Sequence, residues 1–306
     1  MRRWFYLLAA ILASVGLVLG TTAASAVSRL PSQNGMTLGV YTPQNFSGWT
    51  GITSWESGGG LAPNVVNYYS GWGEGFNTTF ANTATSHGTE PFVEMEPWND
   101  GAVTKSACAS TSGVPSMVDI ANGVYDSYLK SFAASIKAYG HTVLLTFAHE
   151  MNGNWYPWGN GGCEGTTPAQ WLAAWKHVYT VIRGVTTNAQ FVWVPNDEQG
   201  AGPVAPYWPG TAYEQTVGLD AYLMQDSNTY AATIAPTIAD IAKLTTQKVW
   251  LAETGIGNPT DSTGPARISA FVTAIKGAGL KGMLYFDQSG FVLTNTDLAA
   301  MTKAWG

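Results

Sequence analysis

Eight short apolar runs, each followed by a loop and then by a helical pattern, predict one α/β domain folded as a (β/α)8 TIM barrel. The runs begin near Met36 (M-T-L-G-V-Y), Asn64 (N-V-V-N-Y-Y), Pro91 (P-F-V-E-M-E), Thr142 (T-V-L-L-T-F), Gln190 (Q-F-V-W-V-P), Thr216 (T-V-G-L-D-A-Y), Lys248 (K-V-W-L-A-E) and Gly282 (G-M-L-Y-F-D). Two further observations favour a closed barrel. Two of the runs lead into a carboxylate, Glu150 and Glu253, at the strand ends where barrel enzymes place their chemistry. No G-x-G-x-x-G or Walker-type loop follows the first run, where an open doubly wound sheet would usually carry one. A chain of 306 residues suits a single barrel, and nothing in its middle reads as a linker.

The helices between the runs have readable ends. Thr167-Pro168-Ala169-Gln170 supplies an N-cap, a proline at the first helical position and a glutamine three residues on; Trp171, Trp175, Val178 and Ile182 then share one face before Gly184. Tyr125, Tyr128, Phe132, Ile136 and Tyr139 form a comparable face before Gly140. A third helix runs from Pro265 through Ile268, Phe271, Val272 and Ile275 to about Gly277.

Composition narrows the partner. Only 11% of residues are charged, 12% are aromatic, 13 are tryptophan, and the formal charge is -6. With no run of Lys or Arg, the chain lacks the basic footprint that a phosphate backbone requires, so nucleic acid is not an expected partner. Stacking surface without charge suits carbohydrate.

Arg2 and Arg3 precede an apolar run, and Ala24-Ser25-Ala26 forms a small-residue cleavage site. Residues 1–26 therefore read as a secretory signal and 27–306 as the exported domain, an extracellular monomer with no membrane attachment after cleavage. An uncleaved anchor is the alternative. Cys108 and Cys163 lie in Gly-, Ser- and Thr-rich loops after the third and fourth runs. On adjacent strands those loops would meet at the C-terminal face, so a Cys108–Cys163 disulfide is expected of an exported protein.

The stretch Thr142–Gly159, T-V-L-L-T-F-A-H-E-M-N-G-N-W-Y-P-W-G, organises the chain. Alternation puts Val143, Leu145 and Phe147 on one face and Thr142, Thr146, Ala148 and Glu150 on the other. If the first face meets the outer helices, Glu150 stands at the barrel rim, with Trp155 and Trp158 offering flat surfaces to sugar rings. His149-Glu150 also fits a buried structural pair. A zinc-protease H-E-x-x-H is excluded because Gly153 stands where the second His is needed, so no metal is expected.

Glu253 precedes a glycine turn on the seventh run and would face Glu150 across the mouth. Two converging carboxylates suit glycoside hydrolysis, one protonated to donate to the leaving oxygen and one ionised to attack the anomeric carbon, about 5 to 5.5 Å apart for retention. On the sixth run, Thr216, Gly218, Asp220 and Tyr222 share the interior face; Tyr222 is placed to bond Glu253, and Asp220 falls too early to be a rim group. Glu94 and Glu96 of E-M-E-P-W are candidates to touch substrate or to cap a loop. Trp98, Trp193 and Trp208 are candidates to stack on sugar or to fill the core. Asn196 is a candidate donor to a sugar hydroxyl.

These residues resemble glycoside hydrolase family 26. The specific match is His149-Glu150-Met151-Asn152-Gly153 followed by Trp155 and Pro157-Trp158-Gly159, similar to the family's acid/base segment. E-M-E-P-W, V-G-L-D-A-Y and Glu253-Thr254-Gly255 support it, and the likeness runs from about Gly39 to Phe286. The resemblance implies a retaining barrel enzyme that needs no cofactor, with Glu150 as acid/base, Glu253 as nucleophile, and His149 and Tyr222 as supports. It implies β-1,4-mannan as substrate, with β-1,3-xylan or mixed-linkage β-glucan as the alternatives. A non-catalytic carbohydrate-binding barrel is the reading from another class. Two departures stand out: mannanases of the family often carry Arg where Thr146 stands, and the aromatic that ends the eighth strand is Tyr285 or Phe286 rather than Trp.

Overall fold

Strand β1 (Thr37–Tyr41) pairs in parallel with both β2 (Val65–Ser70) and β8 (Gly282–Phe286), and the second pairing closes the sheet. Between them run β3 (Glu90–Met95), β4 (Val143–Phe147), β5 (Ala189–Trp193), β6 (Thr216–Leu223) and β7 (Trp250–Ile256), every neighbouring pair parallel. This computed structural model describes residues 30–44, 48–98, 114–162, 165–259 and 262–306. The segment read as a signal, Cys108 and Cys163 lie outside the described residues.

Parallel strands need crossovers, and the chain supplies α1 (Thr50–Ser57), α2 (Thr78–Ser86), α3 (Met117–Ala121), α4 (Asp126–Tyr139), α5 (Pro168–Val185), α6 (Ala235–Ile241), α7 (Gly264–Gly277) and α8 (Asn295–Trp305). A π-turn over Tyr230–Ile234 leads into α6. Helix α5 starts as read: Thr167 accepts from the Gln170 backbone and Gln170 reaches back to the Thr167 N–H, a box worth about 1 kcal/mol. It continues through Gly184 to Val185 because that glycine stays right-handed. Gly140, at φ 82°, ends α4 as expected.

Two apolar layers form. Val143, Leu145 and Phe147 of β4 pack outward with Trp171, Trp175 and Ile182 of α5. Leu144 points the other way and, with Val65, Phe92, Val192, Val194, Trp250, Ala252 and Leu284, fills the barrel. The interior is therefore a packed plug, not a pore, and above it the side chains become polar: Asn67, Glu94, Thr146, Asp220 and Glu253 are all buried.

Candidate active site

The acid-bearing loop is made by a break in strand alternation. Beyond β4, Ala148 and Glu150 both adopt left-handed backbone, φ 49° and 51°, at a cost of about 1–2 kcal/mol each. Their amides are paid back in hydrogen bonds to the adjoining strands: Ala148 N–H to Met95 O (2.9 Å) and Glu150 N–H to Val194 O (2.8 Å). The turn sends Ala148 into the outer core, against expectation, where Trp171 Nε1 donates to its carbonyl. His149 thereby swings inward, with Nδ1 at 3.8 Å from Glu94 Oε2. Strict alternation would have faced His149 and Glu150 oppositely.

Glu150 is held by two N–H donors. Trp155 Nε1 donates to its Oε2 at 2.5 Å, and Asn196 Nδ2 donates to its Oε1. Trp155 folds back onto its own loop because Gly153 leaves the room: a Cβ there would sit 2.4 Å from the indole. Trp158 offers no open face. It is 1% exposed, stacked on Tyr156, and its Nε1 donates to His149 O, so it props the loop instead of meeting sugar.

Glu253 reaches the mouth by another irregularity. Trp250 and Ala252 point into the barrel, so simple alternation would turn Glu253 outward. A register shift between Leu251 and Thr254 against β8, matched against β6, pairs Glu253 with Asp220 and brings it back inside. It therefore sits mid-strand, not at the strand end read from the sequence, and Asp220, judged too early for the rim, is level with it. Both its oxygens are claimed: Tyr69 OH donates to Oε2 at 2.6 Å, and Tyr222 OH donates to Oε1.

The electrostatics separate the two carboxylates. Burial, and then the charge of Glu253, push Glu150 up to about 8, against the lowering effect of Trp155 and Asn196. Glu253 is also raised by burial, opposed by the two phenols. The phenols favour the charged form of Glu253, and its charge in turn helps to hold the proton on Glu150, so the two environments push the pair apart. Beneath them, burial pushes Glu94 and Asp220 well up, with Glu253 adding to both. Burial drops His149 to about 3, so its contact with Glu94 is between neutral groups and not an ion pair. Glu94, His149, Asp220 and Glu253 bring ligand-type atoms within 4.8 Å of one another. With both Glu253 oxygens already accepting from phenols, and with burial favouring the neutral forms of Glu94, Asp220 and His149, the cluster reads as a buried carboxyl network rather than as a metal centre.

Other sequence candidates take supporting places. His149, 1% exposed, stands behind the carboxylates, and Asn196 is engaged by Glu150. Glu96 and Trp98 are buried and bonded to each other at 2.9 Å, with Trp98 edge-on to Trp158. Trp193 is core, packed on Trp208. Of the two eighth-strand aromatics, Tyr285 is fully buried and Phe286 faces the mouth, stacked on Tyr41 at 4.8 Å and edge-on to Tyr222. Sequence reasoning missed Tyr69, although N-V-V-N-Y-Y alternates Val65, Asn67 and Tyr69 onto one face. Asn67 donates to Glu94 at 2.6 Å. It also missed Phe291, whose ring lies 4.8 Å from that of Tyr222 and would clash with any Cβ on Gly255.

A barrel mouth with paired, oppositely poised glutamates and a rim of aromatics agrees with what sequence comparison finds: the model of glycosyl hydrolase family 26 matches residues 78–259. The chain belongs to glycosyl hydrolase family 26. It is 28% identical over 177 residues to endoglucanase H of Acetivibrio thermocellus, covering 56% of this chain and 18% of that protein. It is 28% identical over 145 residues to a mannan endo-1,4-β-mannosidase of Bacillus subtilis, covering 46% and 37%. The chain thus spans well under half the length of these relatives. The fold superposes on a Bacillus subtilis mannanase with a TM-score of 0.62 at 18% identity, covering 91% of this chain and 88% of that one.

Proposed function

We propose that this family 26 chain is a secreted retaining glycoside hydrolase that cuts within β-1,4-mannan chains. The observation that carries the reading is the split in the carboxylate pair. Glu150 is raised to about 8 and so keeps its proton at neutral pH, while two phenols favour the ionised form of Glu253. Glu150 donates its proton to the glycosidic oxygen as Glu253 attacks the anomeric carbon; the C–O bond to the leaving sugar breaks and a glycosyl ester forms on Glu253. Glu150, now ionised, takes a proton from water, which attacks the same carbon and releases Glu253. Tyr69 and Tyr222 hold the nucleophile's oxygens in place, and Phe286 with Tyr41 forms the apolar floor on the Glu253 side. Among the described residues, no helix is long and apolar enough to cross a membrane.

Mannan is favoured by the mannosidase and mannanase likenesses. Thr146, where the family's mannanases often carry Arg, together with the endoglucanase likeness, favours a second reading on mixed-linkage β-glucan or β-1,3-xylan. A reducing-end assay of residues 27–306 on glucomannan, galactomannan, lichenan and β-1,3-xylan, with Glu253→Ala as blank, separates them. Release from mannans alone is expected. Release only from another glycan would keep the mechanism and change the substrate. Polysaccharide retention without new reducing ends would replace the enzyme by a binding barrel.

A further inference from the structure

On the outer side of the barrel wall, a cavity of about 320 Å³ lies between the turn that follows β6 and helix α7. Arg267, Ala270, Phe271 and Ala274 recur at helical spacing along one face of α7, and the two alanines leave a groove where larger side chains would close against the π-turn over Tyr230–Ile234. Such turns are rare and are frequent at functional sites. Tyr230 and Ala231 form the facing wall. Leu223 completes the lining: Tyr222 reaches inward to Glu253, whereas Leu223, next along β6, joins the outer apolar layer. The strand itself separates this cavity from the paired glutamates.

The lining combines two chemistries. Leu223, Tyr230, Ala231, Ala270, Phe271 and Ala274 make it mostly apolar, and two of these are aromatic. Among the described lining residues Arg267 is the one cation. Its Nη1 donates to Gly257 O at 2.9 Å and lies 2.6 Å from Asp226 Oδ1. The Arg267 side chain is 14% exposed and that of Asp226 is 62% exposed. An ion pair with so wet a partner contributes little, because water screens it and a mobile side chain must be ordered to hold it. Another carboxylate can take the same place at small cost when it carries an apolar body that the cavity removes from water. Asp226 shows which head group the guanidinium accepts, and the walls show what suits the rest of the ligand.

We propose that this cavity binds a small aromatic monocarboxylate, its ring against Phe271 and Tyr230 and its carboxylate in the place of Asp226 on Arg267. The volume is at the lower end of the range for small-ligand sites, about 300–1,000 Å³, and admits a single ring with its head group. The site is independent of the glycosidase reading, since neither the cavity nor the ion exchange at Arg267 involves Glu150 or Glu253.

The test is calorimetric titration of benzoate into the protein, with benzamide as the probe that lacks the charge and acetate as the probe that lacks the ring. Benzoate is expected to bind saturably and each control about tenfold or more weakly, the measure of a hydrogen bond to a charged group and of a buried ring. No saturable binding of benzoate, or benzamide binding as well as benzoate, would overturn the proposal. Two variants locate the site. Asp226→Asn removes the competing carboxylate and should tighten benzoate about two- to fivefold, the measure of an exposed ion pair. Ala274→Trp fills the groove and should abolish binding. Benzoate affinity that is unchanged or weaker in Asp226→Asn, or unchanged in a folded Ala274→Trp, places the ligand elsewhere and refutes the site. Should Ala274→Trp fail to fold, Asp226→Asn, at an exposed position, still decides. The titration needs no turnover, so its result stands whatever glycan the protein cleaves.

Discussion

The phenol of Tyr69, on β2, donates at 2.6 Å to Oε2 of Glu253, on β7, so one hydrogen bond spans the barrel mouth and holds the carboxylate proposed as nucleophile. A donor to an ionised, buried acceptor is worth about 1.5–3 kcal/mol. Tyr69→Phe is expected to lower kcat/KM by roughly ten- to a hundredfold on that basis. Because the phenol favours the charged form, its loss also moves the acidic limb of the pH profile upward. A variant with an unshifted acidic limb would remove Tyr69 from this role.

As the proposed acid, Glu150, raised to about 8, is expected to set the basic limb: activity should fall as pH rises through that value and the carboxyl loses its proton. Trp155 Nε1 pulls the other way by bonding the ionised form. Trp155→Phe is therefore expected to shift the basic limb of kcat/KM to higher pH, checked on an unreactive-to-reactive leaving-group series so that acid assistance is seen directly. A limb that moves down would contradict the assignment.

Gly153→Ala should reproduce part of that shift without touching either glutamate. The added Cβ would come within 2.4 Å of the Trp155 ring and push it off Glu150. Melting temperature should change little, since Trp155 is only half-buried. A normal pH profile with a large drop in melting temperature would mean that the glycine serves the fold alone.

Asp220 offers a stability test. Among the described residues neither of its oxygens has a hydrogen-bond partner, and burial, with Glu253, holds its folded-state value well above 3.8. A raised folded-state value means the native form keeps the proton more tightly than the unfolded form. Its contribution is whole below the ordinary carboxylate range and is lost as pH climbs toward the raised value. Asp220→Asn escapes that loss. The melting temperature of the variant should gain on the parent between pH 4 and pH 8; a constant gap across that range would refute the buried-acid account.

The strands were legible because apolar runs of five to eight residues separated by capped helices are what a parallel barrel requires, and β6 and β8 begin where the pattern says. Both glutamates were legible from their place after such runs. What hid was how they get there. The left-handed turn at Ala148 and the register shift before Glu253 are single-residue backbone events that leave no trace in a period of two. Alternation therefore misplaced Ala148, and Glu253 was assigned to a strand end that lies at Ile256. Trp158 and Trp98 misled for a different reason: an indole suits a sugar and a core equally, and here each packs on its loop neighbours.

The seam between β1 and β8 joins five residues of the first strand to five of the last. Until it forms, Tyr69 near the start and Glu253 near the end of the chain have no reason to meet, and loop closure over that distance is slow. No fragment ending before β8 would carry the chemistry. On the proposed function, a nascent chain is expected to stay inert toward glycans until β8 is in hand, which would tie the onset of activity to completion of folding rather than to completion of either glutamate's own segment.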